Sequence, residues 1–140
     1  ARGETVAEKP AFRQAFARRR GLVPADGFTE WREVGAKRKQ PLLIRRQDGA
    51  PMAFAALWEV WSRGGAPVLT CSIVTTGPNA EMAAVHDRMP VILDPADFAL
   101  WLDPAAPAPI LQDLLRPAPD GLLRIEAGAQ PPGPAQMVLL

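Results

Sequence analysis

Apolar positions recur at helical spacing early in the chain and alternate with polar ones further on. Thr5 and Glu8 stand at the spacing of a capping box, Pro10 suits a first helical turn, and Phe12, Ala15 and Phe16 follow on one face. The pattern predicts a helix over about 8–19, with Arg13, Arg18, Arg19 and Arg20 on its outer face and a stop at Gly21. Beyond Leu22-Val23-Pro24-Ala25 and the Asp26-Gly27 turn, Phe28-Thr29-Glu30-Trp31 alternates as a half-buried strand does. Segments 41–46 and 52–58 flank Asp48-Gly49, the strongest short turn signal, and predict a hairpin. The β-branched run over 68–76 predicts another strand, broken at Gly77-Pro78-Asn79.

A short helical stretch over 80–85 leads to His86-Asp87-Arg88-Met89-Pro90, and Val91-Ile92-Leu93 reads as a short buried strand. Asp94-Pro95 caps a helix over 96–102 that places Phe98, Trp101 and Leu102 on one side, and Ile110, Leu111, Leu114 and Leu115 mark a second small helix. Periodicity fades beyond Arg116. Ten of the 16 prolines lie from Pro90 onward, and Gln130-Pro131-Pro132-Gly133-Pro134 reads as irregular. The expected organisation is one α+β unit over 1–116, mainly antiparallel with short flanking helices, and a Pro-rich irregular tail over 117–140.

At 48% hydrophobic and 22% charged residues the chain matches soluble globular averages, and no apolar run reaches the ~18 residues of a spanning helix. A monomer with no membrane contact is expected. The single cysteine, Cys71, forms no intrachain disulfide, and no basic-then-apolar leader precedes a cleavage site, so a reducing cytoplasmic setting is expected. The net charge of +1 hides an asymmetry: residues 1–49 hold 12 Lys or Arg against 6 Asp or Glu, and residues 50–140 hold 4 against 9. A basic half attracts phosphate-bearing partners through counterion release, although a solvated helix face and a charged turn produce the same count.

No GxGxxG, P-loop, G-x-S-x-G or zinc-ligand spacing is present, so neither a metal nor a cofactor is expected. What remains is a sparse polar set: Arg2, Glu4, Glu30, Thr75, His86, Asp87 and Arg88. A lone histidine is more often a hydrogen-bonded structural residue, and a strand glutamate more often faces solvent. Glu30 is distinguished by Phe28 and Trp31, whose flanking rings would raise its proton affinity by desolvation. Cys71, inside an apolar strand, is expected to pack as a small inert hydrophobe.

Three blocks in one order, namely Ala1-Arg2-Gly3-Glu4-Thr5, Leu22 to Trp31, and His86-Asp87-Arg88-Met89-Pro90-Val91-Ile92-Leu93, resemble the SOS-response-associated peptidase (SRAP) family over residues 1–103. The resemblance implies a mixed, mainly antiparallel fold with a DNA groove. It also implies covalent capture of abasic sites in single-stranded DNA by an amino-terminal cysteine, exposed by autoproteolytic removal of the initiator methionine. An opened abasic sugar carries an aldehyde, an α-amine condenses with it, and the adjacent thiolate closes a thiazolidine. By position, Glu30 matches the family's catalytic glutamate and His86 its proton-shuttling histidine. Arg2 and Arg88 match arginines that hold phosphates beside the lesion, and Thr75 would support Glu30.

The family's Cys-Gly-Arg start, Asn-x-x-Pro motif, tryptophan pair and the Asn preceding Ala1 have no counterpart in the chain. The resemblance therefore implies a domain whose first third, with its nucleophile, lies elsewhere, and a chain inactive by itself. Two other readings share the sequence. One is a non-covalent single-stranded DNA-binding module in which Trp31, Trp58 or Trp61 offers a stacking surface; the other is an inactive structural remnant with those tryptophans in its core.

Overall fold

In a computed structural model of the chain, which describes residues 1–128, the first expected helix divides in two. Residues 3–12 form successive turns, and only Arg13–Arg18 is helical (α1). Pro10 explains the break. It has no N–H to donate and disfavours helical backbone at Lys9, so the turn closed on the Thr5 carbonyl by Glu8 and Lys9 is not propagated. Arg20, expected on the helix's outer face, is instead buried at the start of β1 (Arg20–Ala25). Its guanidinium donates to the carbonyls of Trp101 (2.7 Å), Phe16 (2.6 Å), Ala17 (2.8 Å) and Asp103 (2.5 Å).

The strands that follow are β2 (Phe28–Glu33), β3 (Lys39–Arg46), β4 (Met52–Trp61) and β5 (Val68–Ile73). The two-residue strands β6 (Thr75–Thr76) and β7 (Met89–Pro90) pair with each other, and β8 (Leu123–Ala127) closes the described chain. The sheets are antiparallel, in the orders β1-β4-β5 and β2-β3-β8. Pro24 fits within β1 because β1 is an edge strand.

The hairpin expected across Asp48-Gly49 does not form, because β3 and β4 belong to different sheets. That segment is a crossover: Asp48 accepts the Ala50 N–H at 2.9 Å, and Gln47 N–H reaches the Leu122 carbonyl at 2.8 Å. Both faces of β4's first half are apolar, and each face enters a different core. Ala55 and Leu57 pack with Phe16, Val74, Val91 and Trp101, whereas Met52 and Phe54 pack with Phe28, Ile44, Met82 and Met89. A strand buried on both faces needs partners along both edges, which a two-stranded hairpin with half-exposed β3 cannot provide.

Three short helices complete the frame: α2 (Ala80–Ala83), capped by Asn79 through Met82 N–H at 3.1 Å, α3 (Phe98–Leu102) and α4 (Ala108–Asp113). Asp94 caps a 3-10 turn over Pro95–Asp97 ahead of α3, as its sequence predicts. Residues 91–93 are buried but run alongside β4 through a single bridge, Phe54 to Ile92, rather than as a full strand. Leu102 and Ile110, expected on core faces, are largely exposed, while Trp101, Leu111 and Leu114 are buried.

The stretch beyond Arg116 is more ordered than its composition suggests. β8 pairs with β3 from Leu42–Ala127 to Arg46–Leu123, and Leu123 joins the second core. The Gln130–Pro134 tail lies outside the described residues. The α+β class holds: mainly antiparallel sheets with short helices around them.

Candidate functional site

Ala1, Arg2, Phe12, Glu30, Thr75, His86, Asp87, Arg88 and Met89 surround a cavity of about 410 Å³. The sequence set is brought together there from four places: the first turn, β2, β6 and the loop before β7. Gly3 N–H donates to the Thr75 carbonyl at 2.8 Å, and Thr75 N–H to the Ala1 carbonyl at 2.7 Å, so residues 1–3 run beside β6. Gly3 has room for no larger residue without displacement, because a Cβ there would stand 3.1 Å from Leu115 Cβ and 3.3 Å from the Thr75 carbonyl. On the opposite wall Gly27 brings the start of β2 against β3, where a Cβ would lie 2.8 Å from the Ile44 carbonyl. The first contact fixes Arg2 over the cavity; the second fixes the register that presents Glu30.

Glu30 and His86, 56 positions apart in the chain, meet here: Glu30 Oε2 lies 4.0 Å from His86 Nε2. Phe28 shares Glu30's face of β2 and is buried in the second core, which keeps the carboxylate side chain only 13% exposed. Burial pushes the Glu30 carboxyl above its ordinary range, and His86 and the Trp31 backbone N–H offset part of that shift. His86 Nδ1 has three polar neighbours, the Arg88 N–H at 3.0 Å, the Arg88 carbonyl at 3.2 Å and Asp87 Oδ1 at 3.2 Å. The Arg88 backbone anchors the Nδ1 side of the ring, which leaves Nε2 facing Glu30.

The remaining assignments change in detail. Arg88 is held by a fork: Nη1 and Nη2 bond the two Glu4 oxygens at 2.8 and 2.9 Å, and Nη2 also reaches the Thr75 carbonyl at 2.8 Å and hydroxyl at 3.1 Å. That fork keeps the Glu4 carboxyl below its ordinary range. Arg88 Nε is the one buried side-chain nitrogen among the described residues with no acceptor, an arrangement costing about 1–3 kcal/mol that is tolerated where function needs it. Thr75 lines the cavity with Glu30, yet its hydrogen bonds go to Ala1 and Arg88, so it supports Arg88 and the first turn rather than Glu30. Arg2 is exposed and, among the described residues, has no ion-pair partner. The apolar wall of Phe12 and Met89 was not singled out; Phe12 read as an ordinary face residue of a helix.

Cys71 is exposed on β5, opposite Trp58, and does not line the cavity. The expected buried packing fails because only β4's first half is covered on both faces, and Cys71 pairs with the second half. No helix of the described residues is long and apolar enough to cross a membrane.

The profile of the SOS response associated peptidase (SRAP) family matches residues 1–127. The chain belongs to the SRAP family. It is similar to the abasic site processing protein YoaM of Bacillus subtilis, with 47% identity over 84% of this chain and 52% of that protein. It is also similar to the abasic site processing protein HMCES of Gallus gallus, with 30% identity over 84% of this chain and 41% of that protein. A crystal structure of a Bacteroides thetaiotaomicron protein superposes with a TM-score of 0.83 at 32% identity, covering 89% of this chain and 56% of that one. The chain spans about half the length of the curated relatives it matches.

Proposed function

We propose that this SRAP chain acts at abasic sites in single-stranded DNA and supplies the proton-transfer half of a covalent capture reaction. In this reading the nucleophile is an amino-terminal cysteine exposed by autoproteolytic removal of an initiator methionine, a role that Cys71, away from the cavity on β5, does not fill. The observation that carries the reading is the Glu30–His86 pair, 4.0 Å apart in a cavity with a free arginine at its rim.

An abasic sugar is mostly a closed hemiacetal, and opening it needs one proton delivered to the ring oxygen and one removed from the anomeric hydroxyl. A protonated Glu30 does both: one carboxyl oxygen gives its proton as the C1–O4 bond breaks, and the other takes the hydroxyl proton as the aldehyde forms. Burial favours that protonated form. His86 Nε2–H donates to the released oxygen and holds the open sugar. Arg2 meets a neighbouring phosphate, and Arg88 does the same by exchanging the Glu4 carboxylate for phosphate oxygens of like bidentate geometry.

Ring opening is measurable without a protein nucleophile, by trapping the aldehyde of an abasic oligonucleotide with an excess alkoxyamine. The chain is expected to accelerate trapping, Glu30→Gln to lower that acceleration by about 10²-fold, and His86→Ala to lower it less. The acceleration should fall as pH rises through Glu30's raised pKa, since the acid form is consumed. Equal trapping rates for the chain and Glu30→Gln would overturn the reading. Exposure of Trp31, Trp58 and Trp61 favours a second reading, a non-covalent single-stranded DNA module, which predicts binding without any preference for the lesion.

A further inference from the structure

A second concavity, of about 400 Å³, is lined by Arg13, Gln14, Ala17, Arg18 and Arg19 of α1 and its end. Phe12 walls the Glu30–His86 cavity and Arg13, the next residue in the chain, lines the second concavity. The arginines of this surface are not alike. Arg19 is neutralised, bonding Glu59 at 2.5 Å and the Trp58 carbonyl at 3.2 Å. Arg13 and Arg18 are exposed and form no ion pair or side-chain hydrogen bond among the described residues. Other arginines with carboxylate partners, such as Arg46, Arg88 and Arg124, show that this chain does pair its cations where carboxylates are at hand.

The geometry points to α1, which begins one residue after Phe12 of the cavity wall, as a phosphate-binding track for the DNA strand that enters the Glu30–His86 cavity. The inference rests on the abasic-site reading for the strand's point of entry. The cations themselves need only a phosphate chain: guanidinium groups on a concave surface, uncompensated by carboxylates, release condensed counterions when a backbone is laid along them. Gln14 adds an amide that accepts or donates to phosphate and sugar oxygens. Arg2 at the cavity and Arg13 and Arg18 on α1, none with an ion-pair partner among the described residues, are then the cations that meet phosphates of that strand.

Fluorescence anisotropy over a salt series tests this with a single-stranded oligonucleotide of about fifteen nucleotides bearing a central tetrahydrofuran abasic analogue. Replacing Arg13 and Arg18 by Ala together should weaken binding about tenfold at low salt and flatten the log–log salt slope by about 1.4, two phosphates at ~0.7 each. With a trinucleotide centred on the analogue, too short to run along α1, the loss should shrink. The paired change Arg38→Ala and Lys39→Ala, which removes equal charge at the β2–β3 turn, should leave the slope nearer that of the parent chain. If α1 and β2–β3 variants behave alike, net charge alone is at work and the track is overturned. If the parent chain shows no preference for the lesion but the slope still depends on Arg13 and Arg18, the abasic-site reading fails while the track stands. Absence of any binding by the parent chain overturns both.

Discussion

The two halves of β4 contrast sharply. Met52–Leu57 is paired with β1 on one side and touched by residues 91–93 on the other, and both its faces are packed into core. Trp58–Trp61 pairs only with β5, and its tip leaves Val60, Trp61, Val68 and Leu69 exposed, Leu69 by 70%. Both halves carry large apolar side chains, although the second also holds Glu59; what differs most is the number of elements brought against them. The candidate site lies with the first half, because Phe28, Phe54 and Met89 belong to one cluster and Met89 also walls the cavity. A rigid, twice-covered strand is what holds β2 and β7 at the separation that lets Glu30 meet His86.

The largest expected effect is the difference between truncating each half. Phe54→Ala removes a fully buried ring that meets Phe28 edge-on at 5.7 Å, and should cost about 3–5 kcal/mol in urea unfolding. Trp61→Ala, an equally drastic truncation at the tip, should stay within about 0.5 kcal/mol. Comparable losses at both positions would erase the contrast and show that the tip is covered in solution.

Arg20 marks the point where cover ends. It pairs with Leu57, the last buried residue of β4, and its guanidinium stands 5.7 Å from the Trp101 ring centre while tying the end of α1 and the end of α3 to β1. Arg20→Ala strands several buried carbonyls and should cost about 2–3 kcal/mol, with Arg20→Lys recovering only part because one ammonium cannot match the fork. A loss near zero for Arg20→Ala would mean that water satisfies those carbonyls and that the boundary is set by apolar packing alone.

Much of this was legible in the sequence, for identifiable reasons. The strand at Phe28–Trp31, the break at Gly77-Pro78-Asn79, the Asp94 cap and the apolar run through β4 are local signals, and they survive folding. Of the polar set Arg2, Glu4, Glu30, Thr75, His86, Asp87 and Arg88, isolated by what the chain lacks, all but Glu4 line the cavity, and Glu4 bonds Arg88. Partnership was not legible. Asp48-Gly49 looks identical whether it joins paired strands or crosses between sheets, and the alternation of Leu123, Ile125 and Ala127 with Arg124 and Glu126 in β8 is masked by the Pro-rich stretches around it. Nor could spacing reveal that Glu4 would occupy Arg88's fork or that Thr75 would turn to Arg88, since each is a contact between separate elements. Arg20 failed for a related reason: a third consecutive cation reads as surface until backbone carbonyls converge on it.

The smallest expected effect is the most pointed, because it sets the burial that stabilises β4's first half against the site that this half supports. Glu30 has its carboxyl pKa raised above the ordinary value, chiefly by burial. For a group whose folded pKa exceeds its unfolded one, the stabilising contribution is complete below the unfolded pKa and is lost as pH rises through the folded one. The ionised carboxylate therefore opposes folding at neutral pH, partly offset by His86. Glu30→Gln keeps the shape without the charge, so it should match the parent chain in thermal melts at about pH 4 and exceed it slightly at about pH 7. It should do so while losing sugar-opening activity, the signature of a residue kept for chemistry at the expense of stability. If Glu30→Gln is instead the less stable protein at neutral pH, the Glu30–His86 contact outweighs burial. Glu30 would then be a structural ion-pair member, and the proton-transfer role would have to pass to another group in the cavity.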